Sequence, residues 1–200
     1  RLGSRDDTVN VLSTNATTLT TINTGSGTGH NIINVGSTAP TAGGNVNGIA
    51  GKLVIVGEAT GNSDVLNVDD SGDTTANSGK LTSSRITGLG LAADDATKGI
   101  EYLGIEELNI SLGTGGDTFS VQSTNSSTLT TVNTGTGSAA NIVIVSSNAP
   151  ALNGNVNSIG GKLILNGQSS SDTVNVDDTS DTAPNSGTLT ATTLIGLVVG

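Results

Sequence analysis

Three glycines and an aspartate crowd the turn in "LGTGGDTFSVQST" (Leu112–Thr124), just ahead of a run that alternates small polar and apolar residues. Gly113 and Gly115 let the backbone bend tightly enough to aim carbonyl oxygens inward. Asp117 adds a hard anionic oxygen, completing the kind of donor set that calcium takes. Two acidic loops repeat the theme: "VDDSGDT" carries Asp69, Asp70 and Asp73, and "VDDTSDT" carries Asp177, Asp178 and Asp181. Three carboxylates so close together repel one another unless a cation or a water shell screens them. These residues are the candidate calcium ligands of the chain. The same residue types also close a chain corner by hydrogen bonding alone, or keep a loop solvated, so metal-bound and metal-free readings stand side by side.

Other site chemistry has little to draw on. The single histidine, His30, lies in a glycine-rich turn and meets Ala140 at the corresponding position of a second repeat. A catalytic triad or histidine metal site therefore lacks support. A sugar-cleaving cleft needs paired carboxylates with basic and aromatic groups, but Trp is absent and Arg85 is matched by Thr193 in the repeat. No catalytic residue is assigned, the chain is read as no enzyme, and no organic cofactor is expected. Seven basic residues and a net charge of −10 leave nothing to neutralise phosphates, so nucleic acid is not an expected partner. No apolar run approaches the ~20 residues of a membrane span, so no membrane insertion is expected in this segment. There is no cysteine for a disulfide or thiolate site.

The elements that must position these turns follow from internal repetition. "DTVNVLSTNATTLTTINTGSG" (Asp7–Gly27) returns as "DTFSVQSTNSSTLTTVNTGTG" (Asp117–Gly137), and "GNVNGIAGKL" (Gly44–Leu53) as "GNVNSIGGKL" (Gly154–Leu163). The second copy is two residues shorter between Gly57 and Asp64, after which "SDVLNVDDSGDT" (Ser63–Thr74) matches "SDTVNVDDTSDT" (Ser171–Thr182). The expected units are 1–111, which starts mid-unit, and 112–200, a truncated second super-repeat of about 110 residues. Together they are expected to form one continuous stretch of a longer array.

Within a unit, short runs rich in β-branched residues are bounded by Gly, Asn, Asp, Ser or Thr. They are "TVNV" (Thr8–Val11), "TLTTI" (Thr18–Ile22), "NIINV" (Asn31–Val35), "LVIV" (Leu53–Val56), "VLNV" (Val65–Val68), "IEYL" (Ile100–Leu103), "LNISL" (Leu108–Leu112) and "TFSV" (Thr118–Val121). Each reads as a strand. Only Gly90–Asn109 carries spacing that supports a helical turn. Tyr102 and Phe119 are the only aromatics, while 33% of residues are still apolar, which favours a narrow interior of stacked layers. The expected fold is all-β, a right-handed parallel β-solenoid of the β-helix or β-roll type. Tandem β-sandwich domains are the alternative.

In the nonapeptide frame G-G-x-G-x-D-x-U-x, with U apolar, Leu112–Ser120 matches at Gly113, Gly115, Asp117 and Phe119. Ser26–Asn34 keeps Gly27, Gly29 and Ile33 but has Asn31 for Asp, while before Asp7 an Arg5 replaces a glycine and the positions just before Asp172 are serines. With its "GIEYLGIEELNISLGTGGDTF" stretch, "VNV" strands and "VDDSGDT" loops, the chain resembles the RTX-like or β-strand-repeat arrays of very large bacterial surface or secreted proteins. That resemblance implies an extracellular or cell-surface location and an association with calcium. The expected function is a non-catalytic structural repeat segment, a stalk, fibre or surface-layer element stiffened by calcium. An adhesin module binding glycan or protein through an exposed face is the alternative. Flanking repeats of the same chain are the expected partners, with lateral or end-to-end self-association.

Overall fold

The computed structural model describes residues 1–25, 29–58, 63–91, 97–169 and 171–197. Every regular element in them is a strand. The first nine are β1 (Thr8–Val11), β2 (Thr20–Asn23), β3 (Ile32–Val35), β4 (Leu53–Val56), β5 (Val65–Asp69), β6 (Ser78–Thr82), β7 (Arg85–Gly88), β8 (Ile100–Leu103) and β9 (Glu107–Ser111). The remainder are β10 (Thr118–Val121), β11 (Leu129–Asn133), β12 (Ile142–Val145), β13 (Leu163–Asn166), β14 (Thr173–Val176), β15 (Thr188–Leu189) and β16 (Leu194–Ile195). Among the described residues no helix is long and apolar enough to cross a membrane.

The eight runs picked out by composition are β1 to β5 and β8 to β10. The helical turn expected in Gly90–Asn109 is corrected where it can be seen: its end forms β8 and enters β9, while residues 92–96 lie outside the described residues. The reason is a period of two. Ile100 and Tyr102 are buried on either side of Glu101, as are Leu108 and Ile110 around Asn109.

The chain passes between two sheets almost strand by strand. One sheet has the order β1-β3-β5-β9-β11-β13, and every neighbouring pair in it is parallel. The other has the order β14-β12-β10-β6-β7-β8-β4-β2, parallel except that β7 runs antiparallel to both neighbours. β15 and β16 pair only with each other, antiparallel. Such parallel walls differ from the antiparallel sheets that tandem sandwiches require.

Register stacks like on like. In the six-stranded sheet, Val11, Val35, Val68, Ile110, Val132 and Leu165 form one inward row. On the outer side Asn34, Asn67 and Asn109 each donate a side-chain amide to the preceding Asn oxygen, at 2.9, 2.8 and 3.0 Å, starting from Asn10. The core is aliphatic, with Tyr102 and Phe119 as its largest buried side chains, and burying each such residue contributes about 1.5–3 kcal/mol.

The two repeats use opposite sheets. β1, β3 and β5 lie in the six-stranded sheet, whereas their sequence counterparts β10, β12 and β14 lie in the eight-stranded one. The β6–β7 hairpin, joined through Ser83 and Ser84, leads into β8 without leaving the eight-stranded sheet, so seven of the nine connections from β1 to β10 cross between sheets. Between β1 and β10 the chain therefore crosses an odd number of times. Equivalent loops of successive repeats face opposite sides.

One inward position breaks the aliphatic rows. Thr130, paired with Leu108 and Leu163, is fully buried and its Oγ1 has no hydrogen-bond partner. Thr130→Val keeps the shape and removes the unpaired hydroxyl, so chemical denaturation should show a gain of about 1 kcal/mol.

Candidate functional site

Eight of the described strands are immediately preceded by a residue with a carboxylate or amide side chain. These are Asp7, Asn31, Asp64 and Glu106 before strands of the six-stranded sheet, and Asn77, Asp117, Asn141 and Asp172 before strands of the other. At each corner the backbone N–H has left the strand ladder and needs an acceptor. At six of them the side chain at the corner of the neighbouring strand supplies it. Asp7 N–H donates to Asn31 Oδ1 at 3.1 Å, Asn31 N–H to Asp64 Oδ1 at 3.2 Å, and Asp64 N–H to Glu106 Oε2 at 2.8 Å. In the eight-stranded sheet Asn77 N–H donates to Asp117 Oδ1 at 2.8 Å, Asp117 N–H to Asn141 Oδ1 at 2.6 Å, and Asn141 N–H to Asp172 Oδ1 at 3.0 Å. Corner carbonyls are used in the same direction, as where Ile32 N–H donates to Asp7 O and Ile142 N–H to Asp117 O.

Several of these acids carry more than one donor. Asp64 is fully buried and also accepts from the Thr24 hydroxyl at 2.7 Å, the Asn31 amide at 2.9 Å and Glu58 N–H at 3.2 Å. Asp172 accepts from the Thr134 hydroxyl and from the N–H groups of Gln168 and Ser169. Burial opposes ionisation of Asp172, but the Thr134 hydroxyl and the surrounding N–H groups outweigh it and hold the carboxyl below its ordinary range.

The glycine–aspartate turn is one such corner. Asp117 is fully buried, and its Oδ2 also accepts Gly113 N–H at 2.9 Å. Glycine is required by close approach. A Cβ on Gly113 would lie 2.6 Å from Asp73 O, and one on Gly115 would lie 2.3 Å from Thr75 C. Burial, countered by the N–H groups of Asn77 and Gly113, and the neighbouring Asp73 charge leave the Asp117 carboxyl above its usual range.

Both acidic loops are clasps, with the same partners in each repeat. Asp69 accepts Gly44 N–H and Asp177 accepts Gly154 N–H, both at 2.9 Å. Asp70 accepts Val46 N–H and Asp178 accepts Val156 N–H, both at 3.1 Å. Asp73 takes the Asn47 side-chain amide at 3.0 Å, and Asp181 takes that of Asn157 at 3.1 Å. The Thr179 hydroxyl, then Gly154 N–H, bring Asp177 down to about 2. Burial drives Asp70 up to about 7 against the Val46 N–H, and the charges of Asp73, Asp117 and Asp69 push the same way. Asp70 Oδ2 is buried without a hydrogen-bond partner.

Thus Asp69, Asp70, Asp73, Gly113, Gly115 and Asp117 meet in one region, while Asp177, Asp178 and Asp181 form a separate clasp. Among the described residues no three His, Asp or Glu side chains converge closely enough to hold a metal ion. Ser26 and Gly27 of the weaker nonapeptide match lie outside the described residues. The stacked acceptors Asn31, Asp64, Glu106 and Asn141 were not singled out as site residues by motif matching. Their visible signal is an Asp, Asn or Glu directly before the first residue of a strand. No protein-family model, curated protein or solved structure matches the chain.

Two predictions follow from these contacts. Asp64→Ala leaves the Asn31 N–H buried without an acceptor and its side-chain amide with only Gly29 O at 3.4 Å, and should cost about 3 kcal/mol or more in denaturant unfolding. Asp7→Ala, whose carboxylate takes Gly3 N–H at an exposed position, should cost about 1 kcal/mol or less. Asp70 sets a pH dependence. Its folded pKa is raised, so its contribution is complete below the unfolded value of about 4 and is lost as pH rises through about 7. The thermal midpoint should fall between pH 5 and pH 8, and Asp70→Asn should flatten that fall.

Proposed function

We propose that the two sheets are the walls of a right-handed parallel β-solenoid, and that the chain is a non-catalytic structural segment of a very large bacterial extracellular protein. In that role it is a length of stalk, fibre or surface-layer element, built from the super-repeats 1–111 and 112–200, with further repeats as its neighbours. One observation carries the reading: the second repeat continues both sheets of the first in parallel register, β10 on β6 and β11 on β9, while its equivalent strands exchange sheets. Strands that feed a parallel neighbour through the opposite wall are expected to wind right-handed. The resemblance to RTX-like arrays supports the extracellular, cell-surface location.

The mechanism is mechanical. Each coil is fastened to the next by ladder hydrogen bonds, aliphatic rows and corner carboxylates, so stiffness accumulates with repeat number. The corner acids act in this reading as acceptors for N–H and O–H groups, with no requirement for calcium.

The test is to measure chains of one, two and four repeats by small-angle scattering. Nine strands per repeat shared between two walls should add about 22 Å of axis per repeat, at about 4.8 Å per strand. Growth as a compact or flexibly jointed particle overturns the solenoid reading. Thermal melts in EDTA and across a calcium titration should give one midpoint. A midpoint that climbs with calcium overturns the metal-free fastening and assigns the ion to the acids around Asp70.

A further inference from the structure

The second repeat repeats the first in sequence but differs in what covers it. In the first, β8 pairs with β4 and β9 pairs with β5, so Leu53, Ile55, Leu66 and Val68 are all buried. Their counterparts on β13 and β14 are Leu163, Leu165, Val174 and Val176. The two leucines are half-buried, and the two valines are 48% and 42% exposed. The hairpin counterparts follow suit: Leu81 and Ile86 are fully buried, whereas Leu189 and Leu194 are 77% and 41% exposed.

We propose that the surface formed by β13, β14 and the β15–β16 hairpin is a docking site for an acidic strand pair of the sequence type Lys98–Ser111, "KGIEYLGIEELNIS". This deepens the solenoid reading and rests on it. The occupant is specified by contacts already made in the first repeat. Lys52 pairs with Glu101 at 2.7 Å, and Lys162 stands at the equivalent exposed position. Asp64 N–H donates to Glu106 Oε2 at 2.8 Å, whereas the equivalent Asp172 N–H reaches only Ser169 O at 3.3 Å. Gly57 N–H donates to Leu103 O, and a Cβ on Gly57 would lie 1.9 Å from Gly104 O. A Cβ on the equivalent Gly167 meets nothing nearer than Asp172 Oδ2 at 3.9 Å.

A cation, a corner N–H, a glycine slot and two apolar rows are thus arranged for a segment of known register. Ile100 and Tyr102 of the incoming segment would lie against Leu163 and Leu165, and Leu108 and Ile110 against Val174 and Val176. This is strand addition at an open edge, with backbone bonds giving affinity and inward side chains setting register.

The experiment adds a fluorescently labelled peptide of residues 98–111 to the intact chain, following anisotropy and amide hydrogen exchange. Saturable binding is expected, with new protection confined to Leu163–Asn166 and Thr173–Val176. Lys162→Glu should weaken binding about threefold, a modest loss because the model pair is partly exposed, and Glu101→Lys in the peptide should restore it. Gly167→Ala should leave the melting midpoint of the free chain unchanged while weakening binding at least tenfold. Equal binding of a scrambled peptide, no saturation below about 1 mM, or full binding by Gly167→Ala overturns the proposal. Because length per repeat is measured separately, loss of peptide binding with that increment intact removes the docking site and leaves the solenoid reading standing.

Discussion

A chain that turns out of one sheet and into another strands a backbone N–H at each corner, and the structure depends on giving that group an acceptor. The corner carbonyl is already taken by the first amide of the strand stacked above. A side-chain oxygen from the next coil is the remaining neighbour, and it must be short enough to stay on axis. Asp and Asn satisfy that requirement at five corners and Glu106 at a sixth. The acidity of the chain thus has a structural origin: carboxylates accept several donors at once, as Asp64 and Asp172 do. Glycine enters for the complementary reason. Backbone segments drawn together this closely leave no room for a Cβ where they meet, as at Gly113 and Gly115.

Corner hydrogen bonds fasten neighbouring strands, and the β6–β7 hairpin sets how many strands a repeat adds to each sheet. Its return stroke adds two strands to one wall without a crossing, so the first repeat places four strands in one sheet and five in the other. If the same pattern were continued with the walls exchanged, the excess would pass to the opposite sheet, and both would gain nine strands over two repeats. A hairpin on the same wall in every repeat would instead lengthen one side steadily and force the stack to curve. The odd number of crossings keeps the two walls matched.

Much of this was legible in the residues, and the exceptions have physical causes. β-branched runs between glycine and asparagine gave eight strands because both faces of a short strand leave the same compositional trace. β6 and β7 were missed because "SGKLT" and "RITG" contain little apolar residue each, and their stability comes from Leu81 facing Ile86 across the hairpin. The helical reading of Gly90–Asn109 followed its acids and overlooked the alternation around Glu101 and Asn109. Asp117 and both triplets stand out in the sequence as candidate calcium ligands, and in the structure their carboxylates accept N–H and amide donors. What could not be read was their occupancy by N–H groups, since Gly44, Val46 and Asn47 arrive from a loop over twenty residues earlier in the chain.

The tetrapeptide "TVNV" shows why strand sequence is only half of the code. It occurs as β1 and again as β14, with identical residues. In β1 Val11 is buried and Val9 half-buried, whereas all four residues of β14 are exposed. Intrinsic strand preference is the same in both places, so the difference belongs to what lies beside them. Nearest-neighbour stacking makes burial a property of position in the array, as in other repeat proteins. Strands such as this can then be nearly interchangeable, provided that something else fixes their order. The corners do so: Asp64 must meet Asn31 and Thr24, and Asp117 must meet Asn77 and Gly113, contacts that a slip of one residue would break in both walls at once. Register is therefore held at the turns, and the strands between them are free to repeat.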